Sequence, residues 1–345
     1  MGGTFIVKKL TIKTIAELAG VSVSTVSKIM NNYNDVSDET KKKVLEIMEA
    51  SGYTPSFSAR SLSKSKSNLV GVIFAGEMNL EMNHPFFLHV LSTFKKRIGL
   101  FGYDLLFFSN EKLLHTREDY LSRCRYFNID GCVIFAGDDI EPFVHELDRS
   151  DIPCIGVDLS LSGQNSGYIM TDNTKVSRKV VEHFYLNGYR DIGFIGSSVK
   201  SEISHIREES FKQALTSFGL SINPNWIVNG VDFHEKSGYQ LMQQLLEQEK
   251  LPTAVFAASD LLAIGAIRAI QERGLDVPGD IAIIGCDDID ACKYTTPPLT
   301  TVRQDHEKIG LLAALMLFDL MNNQMESTSV VVEPEMIIRS SCRAN

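Results

Sequence analysis

The sequence predicts a small all-α helix-turn-helix head followed by an α/β body of two doubly wound parallel-sheet lobes. Three observations carry this. Residues 11–31 place apolar side chains at helical spacing around a glycine. From Asn68 onward, short apolar runs alternate with amphipathic stretches. The charge also changes sign near residue 67. Residues 1–67 hold ten basic and six acidic side chains, net +4, while the rest holds 24 basic and 37 acidic, net −13.

The whole-chain charge of −9 argues, as a single figure, against nucleic acid as a partner. Divided, it describes a basic head on an acidic body, the pattern of a nucleic-acid-binding module joined to something else. A chance excess of lysines would look the same, so charge alone leaves this open. An apolar fraction of 44% over 345 residues supports a sizeable core and excludes global disorder. The sequence shows no apolar run of the roughly 18 residues a membrane span needs. The opening MGGTFIVKKL has no signal-peptide apolar region. The expected compartment is the cytoplasm.

In the head, Thr11 can cap a first helix whose inward positions are Ile12, Ile15, Ala16 and Ala19. Gly20 supplies the turn. Ser22 is a natural cap for a second helix, its side-chain oxygen accepting from the amide of Thr25. Val26 and Ile29 then face the first helix, leaving Val23, Ser24, Ser27 and Lys28 outward. Small hydroxylated residues at the start of such a helix suit close entry into a major groove. Ser37 caps a third helix, with Asp38 and Glu39 at its positive end, an inward stripe of Thr40, Val44 and Met48, and Gly52 as its stop. Three packed helices without a DNA role are the alternative. The long ordered pattern AxxxGVSxxTVSxxxN favours DNA binding.

Next comes PSFSARSLSKSKSN, rich in serine with Arg60, Lys64 and Lys66. By residue chemistry this is a polar linker. Ala59–Leu62 could nonetheless form one helical turn, and Leu62 has no core to bury into. An apolar wedge between base steps of a minor groove would give it one, with Arg60 near the backbone.

In the body, the strand candidates are LVGVIFAG, YDLLFFSN, GCVIFAG, IPCIGVDL, IGFIG, AVFAAS and IAIIGCDD, with helices such as FFLHVLSTFKKRIG and TKVSRKVVEHFYLNG between them. Repeated βα alternation implies parallel sheets covered on both faces. About 275 residues exceed one such core, so two lobes are expected. Open α/β sheets bind ligands at the carboxyl ends of their strands. Polar residues after those runs are therefore site candidates: Arg207 after IGFIG, Asp260 after AVFAAS, and Asp287 and Asp288 after IAIIGC. Arginine and carboxylates can each bond two oxygens and so clamp vicinal hydroxyls. Phe233 could stack on an apolar sugar face. The alternatives are helix caps for Asp260 and Asp288, a surface ion pair for Arg207 and a core role for Phe233. The six cysteines show no CxxC pair and no metal-ligand spacing with histidine. No disulfide, metal, nucleophile or cofactor is expected.

The motifs TIKTIAELAGVSVSTVSKIMN, VSDETKKKVLEIMEASGYTP and ARSL closely resemble the lactose-repressor (LacI/GalR) family of bacterial transcription regulators, and the resemblance runs to about Arg343. It implies a periplasmic-binding-protein-like body. It makes Val23, Ser24 and Lys28 base-reading positions and Thr25, Ser27 and Asn31 phosphate contacts. Ala59, Arg60 and Leu62 become a hinge that orders on operator DNA in a dimer, with Leu62 wedged into the minor groove of a palindromic operator. Lys28 stands where many relatives carry Arg or His, a point donor in place of a fork. Arg207, Phe233 and Asp287 match effector-binding positions; Asp172 and Asn173 in TDN match a cleft-facing segment between the lobes, with Asp172 as the effector contact. Ser259 stands where many relatives have Asn, beside Asp260, and His84 in NHPFF is a further contact from the first lobe. Gln304 in LTTVRQD matches the segment returning the chain to the first lobe. The implied organisation is a DNA-binding domain over 1–54, a hinge over 55–67 and the body over 68–345. Lobe one covers about 68–167 and 303–328, and lobe two about 168–302 and 329–343. The end after IIRSSC lacks the heptads of tetrameric relatives, so a homodimer is expected.

The resemblance implies a sequence-specific repressor of carbohydrate genes, controlled by a small effector such as a sugar or sugar phosphate. A purine-type or phosphocarrier-dependent corepressed regulator is the alternative, and a sugar receptor without a DNA role a weaker one. An enzyme is disfavoured: adjacent Asp287 and Asp288 do not make a general acid–base pair, and no Gly-rich phosphate loop or nucleophile elbow is present.

Overall fold

The computed structural model describes residues 10–30, 33, 35–53, 66–76, 84–109, 119–136, 140–197, 202–324, 326 and 328–342. The chain falls into two compact units, Met1–Ser67 and Asn68–Asn345.

The first unit contains α1 (Ile12–Ala19), α2 (Val23–Met30) and α3 (Asp38–Ser51). Thr11 caps α1 reciprocally with Thr14, which satisfies two backbone amides that helix geometry leaves open. Gly20 ends α1 at φ 68, a left-handed conformation that costs other residues about 1 kcal/mol. Ser37 caps α3, whose first turn carries Asp38 and Glu39. Ile15, Ala16, Ala19, Val26, Ile29 and Val44 form the shared core, with Ile12 and Met48 packed at its edge. So small a core rests on each member. Full burial of one valine is worth about 1.5–3 kcal/mol, so a charge at Val26 would open the unit.

The second unit contains two six-stranded sheets. Its strands are β1 (Leu69–Ala75), β2 (Asp104–Phe107), β3 (Gly131–Ala136), β4 (Cys154–Val157), β5 (Ser166–Thr171), β6 (Ile192–Gly196), β7 (Ile227–Asn229), β8 (Ala254–Ala257), β9 (Ala282–Asp287), β10 (Thr300–Arg303), β11 (Ser329–Val332) and β12 (Glu335–Ile337). The helices between them are α4 (Pro85–Leu100), α5 (Tyr120–Phe127), α6 (Pro142–Asp148), α7 (Asn173–Leu186), α8 (Glu202–Ser217), α9 (Glu235–Leu246), α10 (Asp260–Glu272) and α11 (His306–Met321).

The first sheet runs β11-β5-β4-β3-β1-β2 and the second β12-β10-β9-β8-β6-β7. Pairing is parallel throughout except for β10 with β12. Helices on both faces explain the unbroken apolar runs, since each strand is buried on both sides. Along β1, Val70, Val72 and Phe74 pack with α4 and α11, while Ile73 and Ala75 pack with α5 and α6. Helices α4 and α11 lie so close that a Cβ on Gly310 would sit 2.4 Å from the Val90 carbonyl oxygen.

The chain passes between lobes three times. It leaves the first sheet after β5, so that α7 packs on the second lobe. It returns after β10, where α11 packs on the first. It leaves again between β11 and β12. The expected boundaries at 167/168 and 328/329 therefore fall short. Residues 168–171 and 329–332 belong to the first lobe, as the rest of β5 and as β11. Arg303, expected to open the return to lobe one, is the last residue of β10 in the second sheet. A crossing comes only where a strand reaches its carboxyl end, and SGYIMT lacks the apolar run that would have marked how far β5 extends.

Candidate functional site

In the first unit, Ser22 Oγ accepts the Thr25 amide at 3.1 Å and lies 2.7 Å from Ser24 Oγ. This fixes the first turn of α2 and holds Val23 and Ser24 outward, with Thr25 and Ser27 half-buried beside them. Val23 is 43% exposed, an apolar side chain the three-helix core leaves uncovered. Lys28 Nζ contacts Asp35 Oδ2 at 2.5 Å, and this bond holds the Asp35 carboxyl below the usual carboxylate range. Asn31, Ala59, Arg60 and Leu62 lie outside the described residues.

In the second unit, polar side chains converge where the strand ends of both lobes face each other. Arg207 on α8 is 3% exposed. Its Nε donates to Asn173 Oδ1 at 2.8 Å and its Nη1 to the Ala258 carbonyl at 2.6 Å. Asp287 ends β9 at φ 128, with Asp288 at φ 59. Asp158, after β4, is at φ 54. Non-glycine residues at such angles store strain of order 1 kcal/mol, a cost common at functional sites. Gln304 Nε2 donates to Asp287 Oδ1 at 2.6 Å. From the first lobe, His84 Nε2 approaches Asp287 Oδ2 at 3.9 Å. Ser160 Oγ donates to Glu202 Oε1 at 3.0 Å, a second link between the lobes.

Five buried side-chain atoms of this cluster have no hydrogen-bond partner: His84 Nδ1, Asp158 Oδ1, Thr171 Oγ1, Asp287 Oδ2 and Gln304 Oε1. Leaving such atoms dry and unpaired costs about 1–3 kcal/mol each, and here they gather in one place between the lobes. Burial pushes the Asp158 carboxyl up to about 6, against the pull of Arg207 and helped by Asp287. Burial likewise raises Asp287 and Asp260. It pushes the His84 imidazole down to about 4, with His234 and Arg207 adding to the fall.

Other expected residues serve as supports. Asp260 is fully buried and both its oxygens are used, by the Thr301 hydroxyl at 2.5 Å and the Ile289 amide at 2.9 Å. Ser259 caps α10 and donates to the Phe233 carbonyl at 3.1 Å. Asp172 caps α7 and bonds Thr174 and Lys175. Phe233 is half-buried against the second lobe's core. Asp288 is clamped by Arg303 at 2.8 Å and Arg339 at 2.5 Å, an ion-pair bracket between β9, β10 and the C-terminal segment. Asp158 and Thr171 were not singled out from sequence, although Asp158 directly follows the run PCIGV. Among the described residues no His, Cys, Asp and Glu side chains group to hold a metal, and no helix is long and apolar enough to cross a membrane.

A three-helix head with an exposed face on α2, and a two-lobed body that gathers buried polar side chains between its lobes, have the make-up of a DNA-binding regulator joined to a small-molecule receptor. Residues 11–56 match the model for bacterial regulatory proteins of the lacI family, and residues 181–342 the periplasmic binding protein-like domain. The chain is 31% identical over 336 residues to the HTH-type transcriptional repressor PurR of Pasteurella multocida (strain Pm70), spanning 97% of this chain and 99% of that one. It is 33% identical over 336 residues to the probable HTH-type transcriptional repressor ExuR of Bacillus subtilis (strain 168), spanning 97% and 98%. Among solved structures it resembles the lac repressor dimer bound to operator and the anti-inducer ONPF, with a TM-score of 0.81 and 26% identity over 98% of this chain and 100% of that one. The chain belongs to the lacI family of bacterial regulatory proteins.

Proposed function

We propose that the protein represses carbohydrate-utilisation genes in the cytoplasm as a homodimer on a palindromic operator, and that a small sugar-like effector in the interlobe cleft sets its DNA affinity. The observation that carries this reading is the set of buried, unpartnered polar atoms around Arg207, contributed by both lobes. A ligand that satisfies groups on two lobes binds one lobe arrangement better than another. That difference is what coupling between two sites requires. In the head, Val23, Ser24 and Lys28 read bases, while Thr25, Ser27 and Asn31 hold phosphates. Ala59, Arg60 and Leu62 form the minor-groove hinge.

Operator binding by fluorescence anisotropy, on DNA selected from a random pool, tests the reading. A palindromic consensus is expected, together with an affinity that one class of sugar changes tenfold or more. A ligand that tightens binding would mark corepression, and one that loosens it induction. No selected sequence, or no ligand effect, would contradict the proposal.

A further inference from the structure

The unpartnered atoms at the cleft are chiefly acceptors. Asp158 Oδ1 and Asp287 Oδ2 are carboxylate oxygens. Gln304 Oε1 is fixed as an acceptor because its Nε2 already donates to Asp287. Thr171 Oγ1 can donate or accept, and so can His84 Nδ1 according to tautomer. Against these stands the buried guanidinium of Arg207, two of whose nitrogens are committed to Asn173 and Ala258. His84 supplies no compensating charge near neutral pH, since burial keeps it unprotonated down to about 4. The charged groups facing Asp158 are Arg207 and Glu202 on α8 and Asp287 on β9. Those facing Asp287 are Arg207, Asp260 at the start of α10, and Asp158 and His84 from the first lobe. A negative group entering here meets carboxylates from both lobes in a medium that screens poorly. Hydroxyl donors meet waiting acceptors.

We propose that the cleft takes an uncharged ligand rich in hydroxyl donors and rejects carboxylated or phosphorylated analogues of it. This rests on the reading of the cleft as the effector site and narrows its ligand class. The selection is a difference of affinities, built from like-charge repulsion on one side and acceptor pairing on the other.

Matched sets test it on the full-length chain: glucose, glucuronate and glucose 6-phosphate; galactose and galacturonate; ribose and ribose 5-phosphate. Thermal shift screens them and calorimetry gives affinities. We expect at least one neutral sugar to bind, with its acid or phosphate at least 30-fold weaker. Asp158→Asn and Asp287→Asn, near-isosteric changes, should each narrow that ratio fivefold or more. In the wild type, lowering the pH from 7.5 to 5.5 should narrow the neutral-to-uronate ratio as the buried carboxyls take protons. An acid or phosphate binding as tightly as its parent overturns the proposal and leaves the effector reading intact. Discrimination unchanged by both substitutions and by pH also overturns it, since the carboxylates are then not its source. If none of these molecules binds, the effector reading itself fails and the proposal with it.

Discussion

Arg207 Nε donates to Asn173 Oδ1 at 2.8 Å, so the guanidinium at the cleft is aimed by the residue that opens α7. Asn173 in turn donates to the Thr171 carbonyl at 2.9 Å, at the point where the chain leaves the first lobe. Asn173→Ala removes the aim and leaves the charge. Loss of a charge-assisted bond costs about 1.5–3 kcal/mol, so effector affinity should fall at least tenfold while DNA binding without effector stays within twofold. Calorimetry and anisotropy separate the two. An unchanged effector affinity would mean Arg207 is positioned by other contacts.

The lysine proposed to read bases is held by a neighbouring carboxylate. Lys28 pairs with Asp35, both about half exposed. Asp35→Asn should therefore tighten binding to any DNA at low salt, and Lys28→Ala should weaken it. Asp35→Asn should also leave the preferred sequence largely intact, since Lys28 and the other groups proposed to read bases all remain in place. Salt titration of anisotropy measures this. Charge changes on the acidic body should leave the slope untouched.

Two titrations pull the body's stability in opposite directions. Folding raises Asp158 to about 6 from about 3.9 in an unfolded chain. The folded form therefore holds that proton more tightly, and stability falls as pH rises from about 4 to about 6. For His84 the folded value is about 4 against about 6.5 unfolded, so stability falls as pH drops from about 6.5 to about 4. Asp158→Asn should gain up to about 3 kcal/mol at pH 7.5 and nothing at pH 4. His84→Gln should gain only on the acid side. Urea unfolding of the ligand-free protein at pH 4.5, 6 and 7.5 checks both, and differences independent of pH would refute the assignment.

Backbone contact between α4 and α11 sets a further expectation. A methyl on Gly310 meets the Val90 carbonyl oxygen at 2.4 Å, whereas one on Gly99 meets nothing within 4 Å. Gly310→Ala should cost about 1–3 kcal/mol through forced separation of the helices. Gly99→Ala should gain up to about 1 kcal/mol by restricting the unfolded chain. Thermal melts of the two variants should therefore move in opposite directions.

Caps and apolar runs were legible in the sequence because they are local. Thr11, Ser37, Gly20 and Gly52 act within a turn of where they stand, and LVGVIFA and IAIIG are strands by composition alone. The short edge strands β7 and β12 carry little such signal. The cleft was legible in part. Arg207, Asp260 and Asp287 follow apolar strands, which makes them candidates, and Ser259 stands beside Asp260. Which of these keep an unpaired oxygen depends on partners far along the chain: Thr301 and Ile289 occupy Asp260, and Gln304 leaves one oxygen of Asp287 open. Asp158 and Thr171 come to the cluster by the register of β4 with β5, which no local pattern carries.

Control of DNA affinity by a ligand held at Arg207 can be measured directly. The measurement is the operator Kd of wild type and of Arg207→Met, each with and without a saturating sugar identified by thermal shift. The expected result is a wild-type Kd that the sugar changes at least tenfold, and an Arg207→Met protein that binds operator as wild type does but no longer responds. An Arg207→Met protein that responds to the sugar as fully as wild type would show that Arg207 does not hold the effector.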